Sequence, residues 1–398
     1  MSRALVLATL LAACGDDPKA GSGDPVTITI ATAQPDLVMV RDLDGPWTAA
    51  MPTHLGGYVA EVTGPYLATV VCVTMFETIY YETYQFARTP DDPREIVVDC
   101  DPDPARNVVV DGHMVQAGRV NLGIQLQRSE TANWDYEFSA APGKRDLVAF
   151  STDRVALRRG IEIAAPGPNV IAPAIDLATE GGALAPSPIT IANAQNDEST
   201  SGSVRIANPE TLAILYDGAP EAARAAAPDA LIASDDQVAR VAAVKVAGTQ
   251  SYTRQVLRHR FAAAAATFTL PDALPTVDLG GDELAATWSA LPAYDELVLE
   301  ATSGIGPDPV LIFEQRTSAR FVAATASTST SFDLDIPGYL PEWTLNAPRA
   351  YRYFEATRKA GEDDLSSYTS LAPTPLQGRR IPAAALTGER ALRAIAFE

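Results

Sequence analysis

The sequence is short of the side chains that carry most chemistry at neutral pH. Its 398 residues hold three cysteines (Cys14, Cys72, Cys100) and three histidines (His54, His113, His259), none of them adjacent in sequence. A histidine-dependent triad would therefore have to assemble from distant segments. There is no His-Glu-x-x-His, Gly-x-Ser-x-Gly, phosphate loop or Cys-x-x-Cys. Gly304-Ile-Gly306 lacks the third glycine of a dinucleotide fingerprint and reads as a turn. Lysine is nearly missing: Lys19, Lys144, Lys245 and Lys359 stand against 26 arginines, a bias that, with abundant Ala and Pro, marks a GC-rich genome. Basic residues are outnumbered 50 to 30, giving a net charge of −20. That balance supplies no basic face for phosphates, so nucleic acid is excluded as a partner, and so is electrostatic adsorption to an anionic membrane. Long apolar runs are missing too. The best, 261–270, falls well short of the roughly 18–20 residues a spanning helix needs. Helical periodicity is confined to two short Ala-rich stretches, 219–227 and 389–396. A parallel α/β architecture, with helices of about 10–15 residues between strands, is disfavoured, and without an equal-period repeat so are propellers and solenoids.

What is present is a globular composition, 47% apolar and 7% aromatic, long enough for two to four domains at roughly 100–200 residues each. Strand-like stretches of alternating character recur between turn signals, clearest at 26–30, 134–138, 238–246 and 331–336. The pattern predicts an all-β chain of several consecutive antiparallel β-sandwich domains. Composition shifts divide it into 25–104, 105–198, 203–271 and 272–373, with 374–398 as a C-terminal tail. The polar stretch 193–202 reads as a linker or long loop.

The first 14 residues run from Met1-Ser2-Arg3 through an apolar segment to Leu11-Ala12-Ala13-Cys14. A basic start, an apolar middle and small residues before a cut site make an export signal. With cysteine directly after the small residues, the segment resembles a bacterial lipoprotein signal. The resemblance implies removal of 1–13 and lipidation of Cys14, which leaves 385 residues with 29 basic against 50 acidic side chains. Residues 14–24, rich in Gly, Asp and Pro, then form a flexible tether. Gly15, not Asp, follows the cysteine, which by the same resemblance favours the outer membrane. Export places Cys72 and Cys100 in an oxidising compartment, where an even pair is expected as a disulfide. Both sit in β-like runs, with Ile96, Val98 and Cys100 on one face. Two buried free thiols are the alternative.

Two blocks resemble known sandwich families. Around 134–149, two strand-like runs joined by Pro142-Gly143 resemble the closing hairpin of carboxypeptidase-regulatory-like, prealbumin-type sandwiches. In 272–373, Pro275, the Leu284/Ala286/Trp288 strand, Leu297-Val-Leu299, Phe332/Leu334/Ile336 and Tyr351-Arg-Tyr353 resemble a fibronectin type III domain, with Tyr351 and Tyr353 expected inward.

No residue is assigned a catalytic role. Asp99, Asp101 and Asp103 have calcium-loop spacing, but Pro104 and Val110 stand where a helix-flanked loop needs Gly and a bidentate acid. Solvated acidic turns are the expectation there, with a looser calcium site, aided by Asp42 or Asp278, as the alternative. No other metal or cofactor is expected. Phe76, Tyr80, Tyr84 and Phe86 share one strand face, which reads as sandwich core or as a stacking platform for sugar rings. The expected function is a non-enzymatic, lipid-anchored envelope protein, at the outer membrane on its periplasmic face or at the cell surface, meeting a protein or glycan partner. The alternative is a carbohydrate-binding module or a β-scaffold hydrolase acting on glycans.

Overall fold

The alternating stretches at 26–30 and 238–246 become the strands Val26–Ala31 and Gln237–Ala247. In the computed structural model, residues 24–396 are described, apart from 101–107, 303–309, 345–350, 359–387 and shorter stretches of up to five residues. The described residues are predominantly strand, 63% against 7% helix, in several sheets, as the periodicity predicts. Among the described residues, no helix is long and apolar enough to cross a membrane.

One sheet of twelve strands organises the molecule. Its order is Thr211–Gly218, Ser199–Asn208, Gln237–Ala247, Gln250–His259, Gly388–Ala396, Tyr351–Arg358, Glu296–Thr302, Val310–Ser318, Thr78–Arg88, Tyr66–Phe76, Leu37–Asp42 and Thr48–Ala49. Strands from three of the four blocks read in the sequence thus share one hydrogen-bonded ladder. Smaller sheets cover it on alternate sides. Tyr84 and Phe86 of Thr78–Arg88, with Ala68, Val70 and Cys72, pack on Ile28, Ile30 and Ile96. The other face of the same ladder, carried by Leu297, Leu299, Phe354 and Ala356, packs on Val277, Ala286 and Trp288 of the sheet Val277–Asp278, Ala285–Trp288, Ser329–Ser331. Side chains paired across a ladder point the same way. The register Phe313↔Thr83 and Ala301↔Phe313 therefore carries the second core's face through to the outer face of Thr78–Arg88.

The second block packs on two sides. One face of Gly118–Leu122, Gly143–Phe150 and Arg154–Ile163 covers the sheet Asp135–Ala140, Val108–His113, Val170–Ile171. The opposite face, with Val148, Phe150, Val155 and Leu157, packs on Ile206, Ala213 and Leu215 of the large sheet.

The structure corrects several local expectations. The runs around 134–149 are not a hairpin. Asp135–Ala140 pairs with Val108–His113, whereas Gly143–Phe150 pairs with Gly118–Leu122 and Arg154–Ile163 in another sheet. Gly143, at φ +128°, supplies a backbone conformation that other residues rarely adopt, at the point where the chain changes sheets. Residues 219–227 form a 3₁₀ turn, Pro220–Ala222, and the strand Arg224–Ala226. Pairing with Gly182–Pro186 and complete burial of Ala225 override the helical propensity of alanine there. Residues 389–396 lie in a strand, not a helix. In the block 272–373 the core residue of the strand Tyr351–Arg358 is Phe354, fully buried, with its ring centroid 5.5 Å from that of Trp288. Arg352, Phe354 and Ala356 are buried, and the side chains of Tyr351 and Tyr353 lie outside the described residues. Residues 332–336, expected within a strand, lie outside the ladder, which ends at Ser331.

Candidate functional site

The strands Tyr66–Phe76 and Thr78–Arg88 form a long hairpin, and its second strand carries three residues of the aromatic row, Tyr80, Tyr84 and Phe86. Tyr84 (7% exposed) and Phe86 (3%) lie inside the first core, while Tyr80 is half-buried. The side chain of Phe76 lies outside the described residues. The aromatic row therefore presents no continuous open face. The Tyr84 hydroxyl is turned inward and donates to Glu82 Oε2 at 2.8 Å.

Cys72 and Cys100 form a disulfide with their Cα atoms 5.4 Å apart. It is buried, and the Thr32 hydroxyl donates to Cys100 Sγ at 3.1 Å. Cys14, Asp99, Asp101 and Asp103 lie outside the described residues. Among the described residues no three metal-ligating side chains converge. The Asp42 carboxylate is occupied as a turn cap, accepting from the Thr63 amide and hydroxyl and from the Gly64 amide.

His54 is exposed on a turn, and the side chain of His259 lies outside the described residues. His113 Nδ1 lies 2.8 Å from Asp135 Oδ1, across the pair His113↔Asp135. The two side chains are 46% and 65% exposed, so water competes with the contact and screens it. Beside this pair, the Tyr136 ring lies flat over Gly112, where any Cβ would stand 2.1 Å from the ring. Burial pushes the Tyr136 hydroxyl up to about 12, against the opposing pull of Arg158.

The densest buried polar chemistry lies where sequence reasoning placed nothing. Thr78–Arg88 and Val310–Ser318 pair in parallel over eight positions, from Val310↔Tyr80 to Thr317↔Ala87. On the side facing the sheet Val277–Asp278, Ala285–Trp288, Ser329–Ser331, the Gln85 amide is fully used. Its Nε2 donates to Thr69 Oγ1 (3.1 Å) and the Asp333 carbonyl (3.0 Å), and its Oε1 accepts from the Asp333 amide and Gln315 Nε2, each at 3.1 Å. Gln315 also donates to the Ser331 carbonyl (2.8 Å) and accepts from Thr330 (2.7 Å). These bonds explain why 332–336 leaves the ladder: the Asp333 backbone bonds to a glutamine side chain instead of a strand. Thr83 meets Tyr339, whose hydroxyl burial pushes up to about 12, with the Thr83 bond drawing it partly back.

On the other side, Arg316 Nε donates to Glu314 Oε1 at 2.6 Å, and its Nη1 to Glu296 Oε2 at 3.3 Å. Asp92, also buried, accepts from the Thr89 amide and from the hydroxyl of Ser318, the N-cap of helix Ala319–Thr325. Arg320 bonds the Asp91 carbonyl beside it. Nothing in the composition marks Gln85 or Gln315. Their burial depends on which distant strand covers them.

Chemically this arrangement is a lock. Its donors and acceptors are satisfied within the protein, and its tyrosine remains a neutral phenol at physiological pH. Replacing Gln85 with leucine should strand the Asp333 amide and carbonyl and remove one of the three bonds of the Gln315 side chain. The expected loss is about 2–3 kcal/mol, read as a lower urea midpoint at unchanged slope. An unaltered midpoint would show that water replaces the glutamine there.

Comparison with known proteins returns no match to a family model, to a curated protein or to a solved structure.

Proposed function

We propose that the chain is a lipid-anchored protein of the bacterial cell envelope, held at the outer membrane by Cys14, with an interaction role and no catalytic one. The observation that carries this reading is Leu11-Ala12-Ala13-Cys14 after a basic, apolar start. The buried disulfide Cys72–Cys100 agrees with export, since such bonds persist in oxidising compartments. The negative charge suits a solvated exterior next to an anionic surface.

Its body is a set of β-sandwiches displayed on the tether 14–24. The block 272–373 is read as fibronectin type III-like on two strand orders. One is Val277–Asp278, Ala285–Trp288, Ser329–Ser331; the facing one is Val310–Ser318, Glu296–Thr302, Tyr351–Arg358, to which Gly388–Ala396 of the segment 374–398 adds an edge. The block 105–198 is read as a prealbumin-type sandwich, supported by its two-sheet core around Tyr136, Phe138 and Leu147. Partners in this reading are a protein or glycan met by loops and strand ends.

The test is Cys14→Ala expressed in a bacterium that processes lipoproteins. Palmitate labelling and membrane fractionation should both be lost, with soluble protein appearing in their place. Continued labelling of the variant would defeat the anchor.

A further inference from the structure

The long hairpin Tyr66–Phe76, Thr78–Arg88 ends, at the side away from its turn, in the directly opposed pair Tyr66↔Arg88. Residues paired across a ladder point the same way, so this tyrosine and this arginine enter the first core side by side. Both lie deep in it: Tyr66 is 0% and Arg88 2% exposed. The Arg88 guanidinium lies over the Phe86 ring, 5.5 Å from its centroid. Its Nη1 donates to the Pro93 carbonyl at 3.2 Å and the Glu95 carbonyl at 3.5 Å, so the chain at 93–95 wraps the head of the side chain.

Two polar atoms here are sealed from solvent without a hydrogen-bond partner among the described residues: Arg88 Nη2 and the Tyr66 hydroxyl. The buried Arg254 and Arg316 each meet a glutamate, whereas Arg88 meets no carboxylate among the described residues. The neighbouring acids are committed elsewhere. Asp42, opposite Tyr66 on its other side, caps Thr63 and Gly64. Asp92 accepts from Thr89 and Ser318. An arginine keeps its charge at any depth, and a buried charge with no counter-charge is strongly destabilising. Burial pushes the Tyr66 hydroxyl up to about 12, with Arg88 drawing it partly back and Asp92 adding to the rise. The phenol therefore keeps its proton and has it to donate.

We propose that Arg88 Nη2 and the Tyr66 hydroxyl hold a small monovalent inorganic anion, chloride, inside the first core. The site offers two donors and one positive charge. A halide accepts from both donors, supplies the missing charge and asks for no donor-free face in return. Water would accept the same two bonds but leave the guanidinium uncompensated. Phosphate or sulfate would bring a second charge and more acceptor oxygens than two donors satisfy. The depth of both side chains leaves no room for an organic tail. Through Arg88 the ion braces the open end of the hairpin against the chain at 93–95.

The test is urea unfolding of the full chain at constant ionic strength, with sodium chloride replacing sodium isethionate from about 1 mM to about 300 mM. An ion bound only by the folded state lowers the unfolding constant by one plus its concentration over its dissociation constant. Each tenfold rise in chloride above that constant should therefore lower unfolding about tenfold, and isethionate should not. Tyr66→Phe removes one donor and keeps the ring, so it should need at least about tenfold more chloride for the same effect. Arg88→Met should not respond to chloride at all; where that variant does not fold, Tyr66→Phe carries the test. Bromide should replace chloride, and its anomalous scattering in a crystal should place one ion between Nη2 and the phenol. Equal stability in chloride and isethionate would overturn the proposal and assign the two donors to water. A chloride effect unchanged in Tyr66→Phe, or bromide bound only elsewhere, would overturn it as well.

Discussion

Replacing Arg254 with methionine is expected to destabilise the chain by about 3–5 kcal/mol, the cost of leaving a buried charge without its partner. The side chains of Arg254 and Glu198 are 4% and 5% exposed. They meet as two parallel bonds, Nε to Oε1 at 2.9 Å and Nη2 to Oε2 at 2.5 Å. The same guanidinium donates to the Pro271 carbonyl at 2.7 Å and the Asn193 carbonyl at 2.9 Å. It thus ties the strand Gln250–His259 to the turn 193–198 and to the chain leaving 203–271. Methionine fills the volume but leaves a carboxylate and two carbonyls to dehydrate unpaired. Thermal or urea unfolding reads the loss, and Glu198→Gln made with Arg254→Met should recover part of it. A single-variant loss below about 1 kcal/mol would mean that water reaches the site.

Acid should act on the same contact. Burial alone would raise the Glu198 carboxyl, but the Arg254 bonds and the Gln195 amide outweigh it and hold the group below its ordinary value. Glu180, bonded to Arg158 and the Asp176 amide, is lowered in the same way despite its burial. A carboxyl lowered by folding contributes stability above its unfolded value, near 4.5, and loses it as pH falls through the folded value. The wild-type chain should therefore lose stability below about pH 4.5 more steeply than Arg254→Met does.

Removing the disulfide, with Cys72→Ala and Cys100→Ala together, is expected to cost about 3–4 kcal/mol in the chain-entropy account for a separation of 28 residues. The bond fastens 95–100, which holds only three paired residues as the parallel edge Glu95–Val97, to the long strand Tyr66–Phe76. Without it, Ile96 and Val98 must stay buried on the strength of a short ladder and their own apolar area. The measurement is unfolding of oxidised wild type against the double variant. A midpoint lowered equally by reductant in wild type and variant would show that the bond is not the cause.

The sequence carried the local part of this architecture. Period-2 alternation places Ile96, Val98 and Cys100 on one face, and all three are buried. It likewise puts Tyr136 and Phe138 inward. What alternation cannot encode is the partner. Thr78–Arg88 meets Val310–Ser318 across about 230 intervening residues, and nothing in either segment names the other. Residues 314–318 read as the polar end of a strand, yet all five are buried because a helix and a second sheet cover them. In Tyr351–Arg358 both faces carry large side chains, so pattern alone leaves the phase open, and the cover supplied by Trp288 selects Phe354. Gly388–Ala396 is helical by propensity and a strand by vacancy: two unpaired neighbours outweigh the preference of alanine.

The shared ladder has a consequence for how the molecule comes apart. In a chain of separate sandwiches each unit melts on its own, and its neighbours do not register the loss. Here the core around Ile28 and Tyr84 and the core around Trp288 and Phe354 are two sides of one sheet, joined by eight parallel rungs. Melting either core strips the other of a neighbouring strand as well as a packing surface. Unfolding free energy is then a property of the assembly, not a sum over sandwiches. The amides that Thr78–Arg88 and Val310–Ser318 share are expected to be among the slowest to exchange with solvent.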